Sequence, residues 1–176
     1  MILVFPVQPI SLMLNLLDKY LAKILIIGVG NPYRCDDGIG PAIIETLRIK
    51  PDASFVVVDG GTDGLALLDL IGEYDRAIII DAVQMLESPG TVKLFTLAEA
   101  KIKVTSDGLS THGFGLAQML QLVERLGIKT TIKIIGIQPK HLGFGEHLSA
   151  EVQQQIPEIL HLIEQEKLCA TQSQPK

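Results

Sequence analysis

Short apolar runs alternate along this chain with segments in which apolar residues recur every three or four positions. The runs are rich in Ile and Val and span residues 23–29, 54–58, 76–80, 91–95 and 130–137. Such runs are typical of strands that are buried on both faces, as in a parallel sheet. Residues 91–95 instead alternate polar and apolar side chains, which indicates an edge strand.

Helical spacing of the apolar residues predicts helices between these strands. The helices are expected to begin near Pro41, Thr62, Ser110 or Thr111, and Ser149. Pro41 suits a first helical turn because its missing N–H is not needed there, and Thr62 can cap the second helix. Pro157 is expected to kink the last helix. Strands that alternate with helices predict an α/β fold, with a parallel-dominated sheet and helices on both faces.

The 176 residues fit one domain, which we place at residues 23–168. Residues 1–22 read as an N-terminal extension, either a short helix packed on the domain or a stretch upstream of the start codon used in the cell. The extension has no basic n-region and no small-residue cleavage site, and Pro6, Pro9 and Asn15 interrupt it. Neither a signal peptide nor a membrane span is therefore expected. Residues 169–176 read as a flexible tail.

Net charge and cysteine content argue against several classes of binding partner and bound group. The formal net charge is −5, which argues against nucleic acid and anionic membrane surfaces, since both bind clustered Lys and Arg. Cys35 and Cys169 lie far apart, and no CxxC motif or Cys/His cluster accompanies them. A disulfide framework or a structural zinc site is not expected, and the chain fits a reducing cytoplasm.

The stretch GVGNPYRCDDGIGPA, residues 28–42, joins the first strand to the first helix. A glycine turn in this place often binds a phosphate, but Asp36 and Asp37 would repel a pyrophosphate at the helix N-terminus. The third glycine of a dinucleotide fingerprint is also missing, since Tyr33 stands there. Asp59, at the end of the second strand, is the feature that most favours a ribose site. Nucleotide binding is the weaker alternative.

A serine or cysteine nucleophile is poorly supported. The segment GLSTHG lacks the GxSxG spacing of a nucleophile elbow, and Ser110 is more readily a helix cap. Cys35 adjoins two carboxylates, which disfavour its thiolate. The remaining histidines, His141, His147 and His161, are interpreted as solvated residues.

Three polar residues are expected to converge at the carboxyl ends of the parallel strands, where ligands bind in such sheets. They are Asp37 in the first loop, Asp81 at the end of the third strand and His112 at a helix start. Two carboxylates and an imidazole suit a divalent transition ion such as nickel or zinc and leave a coordination position open. The alternative, that Asp81 and His112 only cap helices and form hydrogen bonds, stays open at this point.

The stretch GVGNPYRCDDGIG resembles the GxGNxxxxDDGxG signature of the hydrogenase maturation proteases. These endopeptidases remove a C-terminal peptide from the large subunit of nickel–iron hydrogenases. The resemblance continues through VVVDGGTDGLALL, RAIIIDAV, STHGFGLAQML and GIQPKHLGFGEHLSAEV, and covers about residues 24–166. It implies a twisted five-stranded sheet between helical layers, a three-layer α/β/α fold, with one antiparallel strand for which residues 91–95 are the candidate.

The resemblance also implies roles for single residues. The family's nickel-contacting acids and histidine correspond by motif to Asp37, Asp81 and His112, and some relatives have Glu at the first of these positions. The family's enzymes are expected to hold no tightly bound metal at rest. They recognise nickel that has already been inserted into the precursor.

We therefore predict an aspartyl-type endopeptidase that cleaves a nickel-loaded hydrogenase large-subunit precursor as a cytoplasmic monomer. Water activated by nickel or by a carboxylate would attack the peptide carbonyl, and Asp36 or a spare oxygen of Asp37 would accept the proton. Two alternatives remain. One is a non-catalytic module that binds a metal-loaded or nucleotide-bearing partner, and the other is a nickel-independent aspartate-type peptidase.

Overall fold

The computed structural model describes residues 23–99 and 116–172, which contain one five-stranded sheet. The strands are β1 (Ile24–Val29), β2 (Phe55–Gly61), β3 (Arg76–Ala82), β4 (Val92–Thr96) and β5 (Thr131–Ile137). They lie in the order β2-β1-β3-β5-β4. β4 runs antiparallel to β5, and the other neighbouring pairs are parallel. The predicted mostly parallel sheet, with its antiparallel strand at residues 91–95, is confirmed.

Helices cover both faces of this sheet, which gives the three predicted layers. They are α1 (Ile39–Ile49), α2 (Leu68–Gly72), α3 (Leu116–Arg125), α4 (Ala150–Gln153) and α5 (Ile156–Gln172). Successive residues of a strand point to opposite faces. In β1, Leu25 and Ile27 pack in the core that contains residues of α2 and α3. Ile24 and Ile26 pack in the core that contains residues of α1, α4 and α5.

The start of the second helix differs from the prediction. Thr62 does not cap it, because a 3₁₀ turn over Leu65–Leu67 precedes α2 and no side chain caps either element. Instead the Asp63 carboxylate accepts the Leu65 N–H at 3.1 Å and turns the chain into the 3₁₀ segment. Asp63 thus accepts the N–H at the start of this segment, the role that the sequence pattern predicts for Thr62.

The predicted last helix is two helices. α4 ends at Gln153, a turn follows, and α5 begins at Ile156. Pro157 therefore lies in the first turn of α5, where its missing N–H is not needed. The structure thus has an interruption before Pro157 in place of one continuous helix with a kink. α5 continues to Gln172, beyond residue 169, where the sequence pattern places the start of a flexible tail.

Glycines bring α1 and β1 into direct backbone contact. A Cβ on Gly40 would lie 2.2 Å from the Val29 carbonyl oxygen, and one on Gly28 would lie 2.4 Å from the Gly40 carbonyl oxygen. Atoms cannot approach so closely, so each position requires glycine. These two glycines of the stretch GVGNPYRCDDGIG thus serve helix–strand packing.

Gly40→Ala should lower the free energy of unfolding by about 3 kcal/mol or more, because the added methyl group forces α1 away from β1. Urea unfolding followed by circular dichroism measures the loss. Gly72→Ala is the control, since nothing lies within 4 Å of a Cβ at that position. Its effect should stay within about 0.5 kcal/mol. A Gly40→Ala protein as stable as the wild type would contradict this account of the packing.

An ion pair joins α5 to the segment before β2. Lys167 Nζ contacts the Asp52 carboxylate and lies 5.4 Å from the centre of the Phe55 ring. The hydrogen bond from Lys167, together with the Ser54 N–H at 2.7 Å, lowers the pKa of Asp52 from 3.8 to about 2. Both side chains of the pair are partly exposed, so its contribution to stability is modest.

Asp52→Asn should lower the free energy of unfolding by about 0.5–1 kcal/mol at neutral pH. Because folding depresses the pKa of Asp52, the wild type has this advantage above pH 3.8 and loses it as the pH falls towards about 2. Urea unfolding of both proteins across this range measures the difference. Glu164→Gln is the control, since Glu164 is 54% exposed and 3.6 Å from Lys167. A stability difference that does not change with pH would show that the charge of Asp52 is not responsible.

Candidate active site

Two buried aspartates lie at the carboxyl edge of the sheet. Asp37 is in the 3₁₀ turn Cys35–Gly38, which precedes α1, and Asp81 is the penultimate residue of β3. β1 and β3 are parallel neighbours, and the turn contacts β3. Asp37 is 1% exposed and Asp81 is 6% exposed. The topology thus brings these two predicted site residues to the same edge.

The loop around Asp37 holds this residue by local contacts. Asp37 Oδ2 accepts the Asn31 N–H at 2.8 Å, and the Asp37 N–H donates to the Arg34 carbonyl at 3.1 Å. Gly30 has a φ of +133°, and a Cβ there would lie 1.9 Å from the Asp37 carbonyl oxygen. Only glycine fits this conformation and this space. The loop therefore fixes both the backbone and the carboxylate of Asp37.

Asp81 occupies a position that normally carries an apolar residue. β3 lies at the centre of the sheet between β1 and β5, and Asp81 pairs with Gly136 of β5. The preceding residues, Ile78, Ile79 and Ile80, are core residues. A carboxylate that continues such a buried run is rarely tolerated for packing alone. Its place at the carboxyl end of a central strand favours a role in a site.

His112, the third predicted ligand, lies outside the described residues, as do Ser110 and Thr111. The structure therefore describes two of the three side chains in the predicted set. Within residues 23–99 and 116–172, no three or more His, Cys, Asp or Glu side chains form a group that could hold a metal ion.

Asp36 accepts four hydrogen bonds from the loop of residues 139–149. Oδ2 accepts the N–H of Lys140 (2.8 Å), the N–H of His141 (2.9 Å) and the Ser149 hydroxyl (2.9 Å), and Oδ1 accepts the Ser149 N–H (2.6 Å). Burial by itself raises the pKa of this carboxyl, but the three N–H groups and the hydroxyl outweigh burial and lower the pKa below its ordinary value. This environment disfavours the role of proton acceptor that the sequence suggests for Asp36.

Further hydrogen bonds join the same loop to the residues just before Asp36. The Cys35 N–H donates to the Gly145 carbonyl (2.8 Å), and the Gly145 N–H donates to the Tyr33 carbonyl (3.0 Å). The Arg34 guanidinium donates to the Leu142 carbonyl from Nε (3.2 Å) and Nη2 (3.0 Å). Hydrogen bonds therefore connect residues 31–37, which include Asp37, with residues 139–149 into one surface.

Gln138 also lies at this edge of the sheet, although the sequence pattern does not predict it as a site residue. It directly follows β5 and is 5% exposed. Its Oε1 accepts the Met85 N–H at 2.7 Å, and its Nε2 donates to Gln84 Oε1 at 2.7 Å. Gln138 thus ties residues 83–90, which follow Asp81, to the end of β5. The sequence signal that could have indicated Gln138 is an amide side chain directly after a buried, Ile-rich strand.

The other candidates have exposed positions. His141, His147 and His161 are exposed, as predicted. Asp59 is exposed within β2, a strand that runs three residues further than predicted, to Gly61. The Asp59 carboxylate accepts the Gly61 N–H at 3.0 Å, which is a local turn contact.

Neither Cys35 nor Cys169 forms a disulfide in the structure. No helix within residues 23–99 and 116–172 combines the length and the apolar character that crossing a membrane requires.

An α/β sheet with buried carboxylates at its carboxyl edge defines an enzyme-like scaffold, and comparisons with known proteins define its class. The model of a family described as hydrogenase maturation protease matches residues 41–166. The chain is 32% identical over 139 residues to the hydrogenase expression/formation protein HupD of Rhizobium leguminosarum bv. viciae, covering 77% of this chain and 69% of HupD. It is 31% identical over 147 residues to the hydrogenase 2 maturation protease of Escherichia coli, covering 78% of this chain and 88% of that protein.

Solved structures agree with this classification. The hydrogenase maturating endopeptidase HybD from E. coli superposes with a TM-score of 0.71 at 31% identity, covering 80% of this chain and 89% of HybD. The [NiFe] hydrogenase maturation protease HybD from Thermococcus kodakarensis superposes with a TM-score of 0.66 at 30% identity, covering 81% of this chain and 97% of that one. The chain belongs to the hydrogenase maturation protease family. The predicted family, fold and enzyme class, a peptide hydrolase, are confirmed.

Gln138→Ala should remove the acceptor of a buried N–H and lower the free energy of unfolding by about 1–3 kcal/mol. The amides of residues 83–90 should then exchange with solvent faster, because their tie to β5 is lost. Hydrogen-exchange mass spectrometry measures the change. Gln153→Ala is the control, since Gln153 is exposed on α4. Unchanged exchange in residues 83–90 would show that Gln138 does not hold this segment.

Proposed function

We propose that this protein is an endopeptidase that removes the C-terminal peptide from the large-subunit precursor of a nickel–iron hydrogenase after nickel has been inserted. The observation that carries the proposal is the placement of Asp37 and Asp81. Both carboxylates are buried, and they lie at one edge of the sheet in a member of the maturation protease family. His112, which the sequence pattern predicts at a helix start, would supply the third side chain of the proposed set.

The chemistry of these side chains suits a cation that arrives with the precursor. Carboxylate oxygens and an imidazole nitrogen are borderline-to-hard ligands, and nickel in the precursor would be held on cysteine thiolates with coordination positions left open. Asp37, Asp81 and His112 would occupy those positions and so dock the C-terminal segment. A buried carboxylate pair favours such a partner, because an ionised group removed from water gains from a nearby cation.

The same arrangement explains why cleavage would depend on nickel. Three side chains from separate elements bind a free ion weakly unless the surrounding hydrogen bonds tie them together. Thiolates of the precursor would complete the coordination shell and raise the affinity. The protein would therefore hold no resting metal and would engage the precursor only when nickel is present.

Residues of this chain would also prepare the hydrolytic step. The Asn31 N–H orients Asp37 through one carboxylate oxygen. Asp37 would accept the proton of the attacking water. An open groove of about 280 Å³ lies beside the turn, between Pro41, Asp59 and Leu148. This groove has room for part of an extended peptide. Cysteines that form no disulfide, Cys35 and Cys169, fit action in a reducing cytoplasm, which we propose together with a monomeric state.

Asp37→Asn, Asp81→Asn and His112→Ala should each lower the rate of precursor processing by about 100-fold or more, because each removes a ligand or the proton acceptor. Purified nickel-loaded precursor is incubated with each variant, and the shortened product is measured by mass spectrometry. Folding should stay nearly intact, as judged by thermal melting.

Asp75→Asn is the matched control. Asp75 directly precedes β3 and so lies at the opposite end of the strand that carries Asp81, with an exposed side chain. Its processing rate should equal that of the wild type. Cleavage of metal-free precursor at the same rate would instead favour a nickel-independent peptidase. A stable complex without cleavage would favour a binding module.

A further inference from the structure

The Asp36 carboxylate accepts hydrogen bonds from the loop of residues 139–149. An ionised carboxylate offers about four lone-pair sites, and four donors from residues 140, 141 and 149 contact the two oxygens of Asp36. Asp36 is also 0% exposed. Three of these donors contact Oδ2 and one contacts Oδ1, and the absence of exposed surface closes this carboxylate to water or a peptide from bulk solvent.

We propose that Asp36 is a positioning residue that clamps residues 139–149 onto the turn carrying Asp37, and so sets where the precursor docks. Its effect on cleavage rests on the proposed function above. Asp36 together with Lys140, His141 and Ser149 is named the Asp36 clamp.

The clamp acts on Asp37 because the two aspartates are consecutive in a tight turn. The Asp36 N–H donates to the His141 carbonyl at 3.1 Å, so the loop holds Asp36 through its backbone as well as its carboxylate. The Asp37 N–H and carboxylate are in turn held by Arg34 and Asn31. The turn cannot rotate without breaking one of these sets of hydrogen bonds. The clamp therefore limits the direction in which Asp37 faces the site.

The clamp also places exposed aromatic surface beside the turn. Phe144, in the clamped loop, is 95% exposed, and Tyr33 is 64% exposed. The hydrogen bond from the Gly145 N–H to the Tyr33 carbonyl places these two aromatic residues on adjacent segments. Exposed aromatic side chains are enriched at protein interfaces and often dominate their binding energy. A loosened clamp should therefore weaken engagement of the precursor.

Asp36→Asn is the main test, because its amide has the shape of the carboxylate but replaces one acceptor with a donor. In either orientation the amide nitrogen faces an N–H of the loop, from Ser149 or from Lys140 and His141. The KM for nickel-loaded precursor should rise by about tenfold or more. The amides of residues 139–149 should exchange with solvent at least about tenfold faster.

Ser149→Ala is a milder variant that removes the hydroxyl donor and leaves the carboxylate intact. It should raise the KM about threefold to fivefold, in line with the loss of one hydrogen bond to a charged group. If Asp36 were instead the proton acceptor, freeing one of its oxygens would leave the KM unchanged and keep or raise kcat. Glu151→Gln is the control, since it removes only the surface ion pair with Lys140 (2.6 Å) and leaves every residue of the Asp36 clamp in place, so the KM should stay unchanged.

An Asp36→Asn protein with unchanged KM and unchanged exchange of the loop overturns the proposal, as does a loss of kcat alone. If Asp36→Asn does not fold, Ser149→Ala decides by the same two measurements. If the wild type does not cleave nickel-loaded precursor, the proposed function fails. Hydrogen exchange of residues 139–149 then still decides whether the clamp exists.

Discussion

The close approach of α1 to β1 is the constraint on which the edge of the sheet depends. At Gly28 and Gly40 no room exists for a side chain between helix and strand, so the first turn of α1 lies directly on the strand backbone. The loop between them must close over a very short distance, and Gly30 allows it to do so with a positive φ. The 3₁₀ turn with its two aspartates is thereby held against the carboxyl end of the sheet. The glycines of this loop serve backbone packing, whereas in a dinucleotide-binding loop they would make room for a phosphate.

The two adjacent aspartates of this turn have different roles. Asp36 lies in a pocket of hydrogen-bond donors from residues 140–149, and these donors offset the cost of burying its charge. Asp37 is oriented by its own loop at the edge that it shares with Asp81. Asp36 thus holds the neighbouring loop, and Asp37 takes part in the chemistry of the proposed function. This division explains why a loop in the position of a phosphate-binding turn carries two negative charges.

The edge as a whole is assembled from segments that follow different strands. Residues 31–37 follow β1, residues 83–90 follow β3, and residues 138–149 follow β5. Gln138 ties these segments together through a buried hydrogen bond, and Asp36 does so through hydrogen bonds that are partly buried. Such bonds are expensive to break when no water can replace them. In the proposed function, this rigidity lets the site meet a metal-loaded precursor without a resting ion of its own.

The sequence by itself determined the features that depend on local order. Apolar runs and helical spacing predicted the strands, the antiparallel position of residues 91–95 followed from the family resemblance, and Asp81 stood out as a charge after a buried run. Only the tertiary structure decided the strand order, the place of Pro157 at a helix start, and the contacts of Asp36 and Gln138. The reason is physical: Asp36 and Ser149 lie 113 positions apart, and no periodicity along the chain encodes a hydrogen bond over that separation. Such a bond is possible only in a fold that places β1 and β5 on either side of β3.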